Sequence, residues 1–154
     1  LHPAVSTIGP RNSLDVTLDF VTIRIVMSEA LRFFKVVSDT TRWRIVLLVL
    51  DRALCVCELA DILRMPQSSV SSHVQVIRRA GLLESETCGK WTYFRIASAH
   101  VSILRLLMRR FPDDGRFAGD AFRAERRLAR RETSCCPGPV KLLKSRKLPR
   151  SAAR

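Results

Sequence analysis

No stretch of this chain is apolar for anything near the ~20 residues that a membrane-spanning helix requires. The longest such run, Ile45-Val-Leu-Leu-Val-Leu50, has the length of one buried helix stripe. A secretory leader is missing from the pattern too, because the first twenty-six residues hold no basic start followed by an apolar block. These absences predict a cytoplasmic protein with no membrane partner. In that compartment thiols stay reduced, so the five cysteines suggest metal binding, catalysis or burial before a disulfide framework. There is no CxxC pair within a βαβ pattern, no phosphate-binding loop and no Ser/His/Asp set, which argues against an enzyme. No internal repeat is visible. At 154 residues the chain suits one domain with tails, large enough to bury a core without disulfide staples.

What is present in excess is positive charge, +13 in all. Its distribution is uneven. Residues 1–26 carry two Arg and two Asp and contribute nothing. Residues 27–104 carry ten Lys/Arg against seven acids, and residues 105–154 carry fifteen against five. A basic tail of this kind binds polyanions weakly and without sequence preference, or stays a solvated and partly disordered extension.

The first methionine is Met27, and helical spacing tightens there. Residues 1–26 are therefore expected to be an upstream translation or a dispensable arm, with Met27 as the biological start. A helix is predicted over 28–37, opened by Ser28, with Ala30, Leu31, Phe34 and Val37 on its inner face. Thr40 or Thr41 can cap a second helix, TRWRIVLLVL. A short third helix runs from about 57 to 63, and Pro66 breaks it from a fourth over 68–80, which ends at Gly81. Two strands follow, LLESE and WTYFRI, around a turn at 87–90. Helical spacing returns over 101–111 and again over 117–131. After Cys135-Cys136-Pro137-Gly138-Pro139 no regular structure is predicted.

Helix, short helix, Pro-containing turn, Ser-rich helix and hairpin is the order of a winged helix-turn-helix. With Val70, Val74 and Ile77 turned inward, the fourth helix keeps Gln67, Ser68, Ser69, Ser71, Ser72, His73 and Gln75 on its outer surface or near its start. Short hydroxyl and amide side chains let a helix enter the major groove and bond base edges or phosphates. Arg78 and Arg79 suit backbone contacts, while Lys90 and Arg95 would place charge on the wing.

On the segments "SDTTRWRIVLLV", "ALCVCELADIL", "MPQSSVSSHVQVIRRAGLLES" and "GKWTYFRI", residues 27–97 resemble the ArsR/SmtB family of metalloregulatory repressors. The resemblance implies a mainly α fold: four helices, a small β-hairpin wing and a fifth helix. It would occupy 27–111, between an N-terminal arm and a basic tail over 112–154. It also implies a homodimer, built mostly on the helices near 28–38 and 100–111, that binds operator DNA as a repressor and leaves it when a metal or metalloid binds.

Arsenite and antimonite sensors of that family carry Glu-Leu-Cys-Val-Cys-Asp-Leu-Cys or close to it. Here Leu54-Cys55-Val56-Cys57-Glu58-Leu59 corresponds, while Ala53 replaces the leading acid and Ala60 the third cysteine. As(III) or Sb(III) is thus the expected inducer, with no permanent cofactor. Such ions favour three sulfur donors, of which Cys55 and Cys57 supply two. One of Cys135 and Cys136 could complete the set, including from a partner subunit, as could a free thiol such as glutathione; the alternative is that both are tail thiols without a ligand role. The same fold sensing Cd(II), Pb(II) or thiol oxidation is the runner-up, and a thiol-dependent reductase stands further back. Two expectations attach to the thiols: their place near a helix start lowers their pKa, and residues i and i+2 of a helix diverge, so that joint chelation would need the helix start unwound. The family's other site, Asp and His on the last core helix, is not expected, because that region offers only His100. Cys88, in the wing turn, is read as incidental.

Overall fold

The most apolar segment of the sequence supplies the centre of the core. In the computed structural model, which describes residues 13–112, 115, 117–131, 136 and 138–144, α2 spans Thr40–Leu50 and buries Ile45, Val46, Leu48, Val49 and Leu50. Its cap is Asp39, not the predicted Thr40 or Thr41. The Asp39 carboxylate accepts the Arg42 N–H at 2.8 Å and so satisfies a donor that the helix start leaves free.

Before it, α1 spans Ser13–Val37, beginning well ahead of the predicted Ser28. The boundary drawn at Met27 therefore falls inside one helix. Residues 13–26 contain neither Pro nor Gly, and their β-branched members weaken helical preference without forbidding it, which is why periodicity did not reveal them. Ser28 does not cap; its hydroxyl donates to the Ile25 carbonyl at 2.9 Å. The inner face is also rotated from the predicted one. Phe33 and Val36 are buried, whereas Leu31 and Phe34 are 56% and 53% exposed. Both sides of this helix are apolar, and spacing alone cannot say which side meets the core.

The sheet has three strands, not two. β1 (Leu54–Cys55) pairs antiparallel with β3 (Trp91–Ile96), which also pairs with β2 (Leu83–Cys88), in the order β1-β3-β2. Leu54 faces Phe94 in register and Cys55 faces Tyr93. A two-residue strand is too short to show alternation in a sequence. Between β1 and β2 lie α3 (Val56–Leu63) and α4 (Gln67–Arg79). Their turn is made by Arg64 in the left-handed region (φ 57°) and Pro66, just before a helical turn that needs no N–H from it. Val70, Val74 and Ile77 are fully buried, and Gly81 (φ 79°) ends α4. The result is a winged helix-turn-helix, as expected. α5 follows as Ser98–Arg110, with His100 against Phe33 at 6.0 Å between ring centroids. No helix among the described residues is long and apolar enough to cross a membrane.

Beyond this core, arginines bolt α6 (Ala118–Ala129) onto α2 and α3. The nearly buried Asp120 receives Nε and Nη2 of Arg44 at 2.6 and 2.8 Å and also pairs with Arg123. Part of the basic tail is therefore structural.

No regular structure is predicted after Pro139, yet among the described residues 138–144 are tied to the sheet and end in a short helix; residues 145–154 lie outside the described residues. Gly138 donates its N–H to the Tyr93 hydroxyl at 2.8 Å. The Glu86 carboxylate accepts the N–H groups of Val140, Lys141 and Leu142 at 2.7 to 3.0 Å, where the short α7 (Lys141–Lys144) begins. The free donors of a helix start thus find their acceptor on a distant strand, which local sequence cannot show.

These N–H groups, Lys141 first, hold Glu86 below the usual carboxylate range. A carboxylate with a lowered folded pKa contributes its full stabilisation above its ordinary range and loses it as pH falls through the folded value. Wild-type protein should therefore protect the amides of residues 140–142 from hydrogen exchange at neutral pH and lose that protection in acid. Glu86→Gln should weaken it already at neutral pH, and equal protection factors in the two proteins there would refute the latch.

Candidate metal centre and DNA-facing surface

Three thiols from two remote parts of the chain meet at the start of α3. Cys55 is the last residue of β1 and the N-cap of α3, with extended backbone (φ −89°, ψ 169°). Cys57 sits in the first helical turn. Because Cys55 stands outside the helix, the divergence of i and i+2 does not apply, and the two sulfurs lie 3.0 Å apart. The expected need to unwind the helix is thus corrected: the regular helix start already aims both thiols at one point. Cys136 comes from the segment after α6, its sulfur 2.9 Å from Cys57 and 3.6 Å from Cys55. All three sulfurs fall within 4.8 Å of one another, on a single chain. Cys135 lies outside the described residues. Cys88 packs beside the cluster without joining the triangle, and Ala60 is buried in the main core.

A buried carboxylate braces the triangle. Glu58, 0% exposed, accepts the Cys55 N–H at 3.0 Å, half of a capping box. Arg131 clamps it with Nε and Nη2 at 2.8 and 2.9 Å and reaches the Ala53 carbonyl at 2.8 Å. The same guanidinium lies 5.6 Å from the Tyr93 ring centroid. Glu58, Tyr93, Glu86 and Arg131 were all missed as site residues. Only Glu58 left a local signal, its spacing of three from the cap.

The electrostatics run against the expectation of an activated thiol. Burial pushes the Cys55 thiol up, and sharing a hydrogen bond with Cys57 and lying near Glu58 push it further. The helix dipole does not overcome desolvation here. Burial also moves the Tyr93 phenol up to about 12, which keeps it neutral as it accepts the Gly138 N–H.

The triangle borders a cleft of about 470 Å³ lined by Cys55, Cys57, Gln67, Gln75, Lys90 and Trp91. Cys55 and Cys57 therefore share one cavity with three of the predicted DNA-contacting residues, Gln67, Gln75 and Lys90. Along α4, Gln67, Ser68, Ser72 and Arg78 are exposed, and Ser69, Ser71, His73 and Gln75 are half-buried. The Ser72 hydroxyl donates to the Ser68 carbonyl at 3.0 Å, and His73 Nδ1 lies 3.8 Å from Asp39. Lys90 is exposed at the hairpin turn, over the Trp91 ring at 4.9 Å. Arg95 does not belong with them. It is 7% exposed, its Nε donates to Glu84 at 2.8 Å and its Nη1 to the Leu142 carbonyl, so it binds the returning tail. On a strand, alternation sends it away from the side that the sequence suggested.

Residues 39–85 match the family described as bacterial regulatory protein, arsR family. Over 72 residues the chain is 39% identical to the arsenical resistance operon repressor of Escherichia coli (strain K12), a span covering 46% of this chain and 61% of that relative. It is 31% identical over 81 residues to an uncharacterized HTH-type transcriptional regulator of Methanocaldococcus jannaschii, covering 51% of this chain and 91% of the relative. The chain belongs to the ArsR family. Among solved structures, HlyU from Vibrio cholerae N16961 superposes with a TM-score of 0.53 at 27% identity, over 56% of this chain and 96% of that one. The names of these relatives are those of transcriptional regulators. What this chain adds to the matched ArsR region, 39–85, includes α6 and the segment that carries Cys136.

The burial pattern makes a direct prediction for thiol chemistry. With limiting iodoacetamide near pH 8, the half-buried Cys57 should be alkylated first, with Cys55 lagging because its thiolate forms only at higher pH. Peptide mass spectrometry showing Cys55 modified as fast as Cys57 would contradict this environment.

Proposed function

We propose that this protein is a transcriptional repressor that leaves its operator when As(III) or Sb(III) is bound by Cys55, Cys57 and Cys136. The observation carrying the proposal is the three-sulfur triangle, within 4.8 Å, two of whose members, Cys55 and Cys57, also line the cleft with Gln67, Gln75 and Lys90. Soft thiol ligands suit a soft ion, and three donors suit a trivalent metalloid.

Proton balance separates metalloids from divalent cations. Arsenous acid is neutral at physiological pH, and its reaction with three thiols gives As(SR)₃ and three waters. Each S–H proton leaves on a departing hydroxide, and none is released. A divalent cation must expel thiol protons into solution, so a thiol pushed up by burial weakens it at neutral pH. Three thiol donors together with this proton balance support the reading of As(III) or Sb(III) as the inducer.

For DNA, α4 enters the major groove, with Gln67, Ser68, Ser69, Ser71, Ser72, His73 and Gln75 facing base edges or phosphates and Arg78 and Lys90 the backbone. Exposed Leu31 and Phe34 on α1, and Ile103 and Leu106 on α5, form the homodimer interface, which places two recognition helices on successive half-sites. Gathering three sulfurs around one ion joins the start of α3, which supports α4, to the segment latched on the wing. The spacing of α4 and wing is then the variable that both DNA and inducer bias.

A second use of the triangle rests on the sulfur distances. Cys57 is partly exposed and 2.9 Å from Cys136, so peroxide could join them as a disulfide, two thiols and H₂O₂ giving one S–S bond and two waters.

Fluorescence anisotropy on the protein's own upstream promoter distinguishes these cases. As(III) and Sb(III) should release wild-type protein with a midpoint nearly flat between about pH 6 and 8, while any Cd(II) response strengthens with pH. Cys55→Ser, Cys57→Ser and Cys136→Ser should each raise the As(III) midpoint by at least about tenfold without weakening DNA binding, and Cys135→Ser should not. Release by As(III) in the Cys55→Ser/Cys57→Ser double variant would end the proposal, and release by peroxide alone would favour the redox role.

A further inference from the structure

Five arginines converge where α6 meets the helix-turn-helix. Arg64, Arg123, Arg126, Arg127 and Arg130 line a cavity of about 230 Å³ in which Asp61 is the one acidic side chain. Internal pairing uses only part of this charge. Arg123 is tied to Asp120 and the Ile62 carbonyl, and Arg127 Nε donates to Asp61 at 2.9 Å. Arg64 is exposed in the left-handed turn before α4 and makes no ion pair among the described residues. Arg126 is also exposed; its guanidinium lies over the Phe122 ring at 5.8 Å, and it pairs with no described carboxylate. Nη1 of Arg127 is buried without a hydrogen-bond partner among the described residues. Arg64 and Arg126 thus bring two guanidinium charges to this cavity that no described carboxylate neutralises, a setting that suits an anion.

Its position identifies the anion. In a helix-turn-helix the first helix crosses the sugar-phosphate backbone while the second enters the groove. Arg64 stands in the turn between those two helices, and Arg123 fixes α6 to the carbonyl end of α3. The arginines of α6 thus line one cavity with Arg64 of that turn. Guanidinium forks match phosphate oxygens in pairs, with strength that an isolated lysine does not reach.

We infer that this cavity is a subsite for backbone phosphates of duplex DNA flanking the operator, held by Arg64 and Arg126. The inference rests on the DNA-binding function proposed above and extends its footprint to α6, outside the matched region. Such contacts fix register and add affinity without reading sequence.

The test uses the full chain and anisotropy titrations across salt, on an operator duplex, on the same duplex shortened by one helical turn at each end, and on an unrelated duplex. Arg64→Gln/Arg126→Gln should lower the magnitude of the log K against log[salt] slope by about 1 for each phosphate no longer held, and weaken operator and unrelated DNA by the same factor. Shortening should weaken wild type more than this variant. Arg64→Lys/Arg126→Lys should restore most of the slope, and the As(III) affinity measured without DNA should not change. An unchanged slope in the folded Gln variant, or a loss confined to the operator sequence, overturns the inference. So does competition by inorganic phosphate at fixed ionic strength that disappears in the variant while the DNA slope stays, since the cavity would then hold a free anion. If wild type shows no operator preference at all, the repressor function itself fails. If wild type prefers the operator and only the slope prediction fails, the subsite alone is wrong.

Discussion

A carboxylate with no exposure to water, placed in the first turn of α3, governs the geometry around it. Glu58 is surrounded by protein, and its oxygens are satisfied by the Cys55 N–H and two nitrogens of Arg131. Such a pair stabilises modestly in net terms, yet either half left alone is strongly unfavourable. Arg131 must therefore return to this point. In doing so it also binds the Ala53 carbonyl, and it brings the chain leaving α6 against β1. Cys136 is carried in by that return. The third sulfur is a consequence of a salt bridge in which no sulfur takes part.

At the same junction the proposed ligand site adjoins the proposed DNA-facing surface. Cys55 ends a strand, Cys57 begins a helix, and Cys136 belongs to a segment latched by Glu86, Tyr93 and Arg95 onto the sheet. An ion held by all three sulfurs would join strand, helix and latch, next to the cleft bordered by Gln67, Gln75 and Lys90. No element has to unfold for this. In the proposed mechanism what changes is the spacing of parts that are already formed, and packed interfaces respond to such changes in discrete steps.

Positive charge has two uses here. Arg44, Arg123, Arg127 and Arg131 are partly or largely buried and neutralise Asp120, Asp61 and Glu58, so they hold α6 in place. Arg64 and Arg126 remain exposed at the rim of the α6 cavity. A net charge read from composition merges these roles, because it does not know which guanidinium faces a carboxylate. Arg95 shows the same ambiguity: adjacent in sequence to wing residues, it is drawn beneath the wing by Glu84 and Leu142.

The helix-turn-helix is legible in the sequence, since each of its parts is local. Apolar spacing in α4, Pro66 and Gly81 as terminators, and the hairpin turn at Gly89 all act over a few residues. Cys55 and Cys57 were legible as a pair for the same reason. Cys136 could be suspected by its residue type, but its place beside residues some eighty positions earlier depends on the Arg131–Glu58 pair and on the latch to Glu86. The inner face of α1 was misread because Leu31 and Phe34 are as apolar as Phe33 and Val36. By itself the sequence determined which local elements form, through periodicity and turn chemistry. Tertiary structure alone decided which thiols meet, how far burial raises Cys55 and where each arginine points, because these depend on long-range packing and desolvation that no short window encodes.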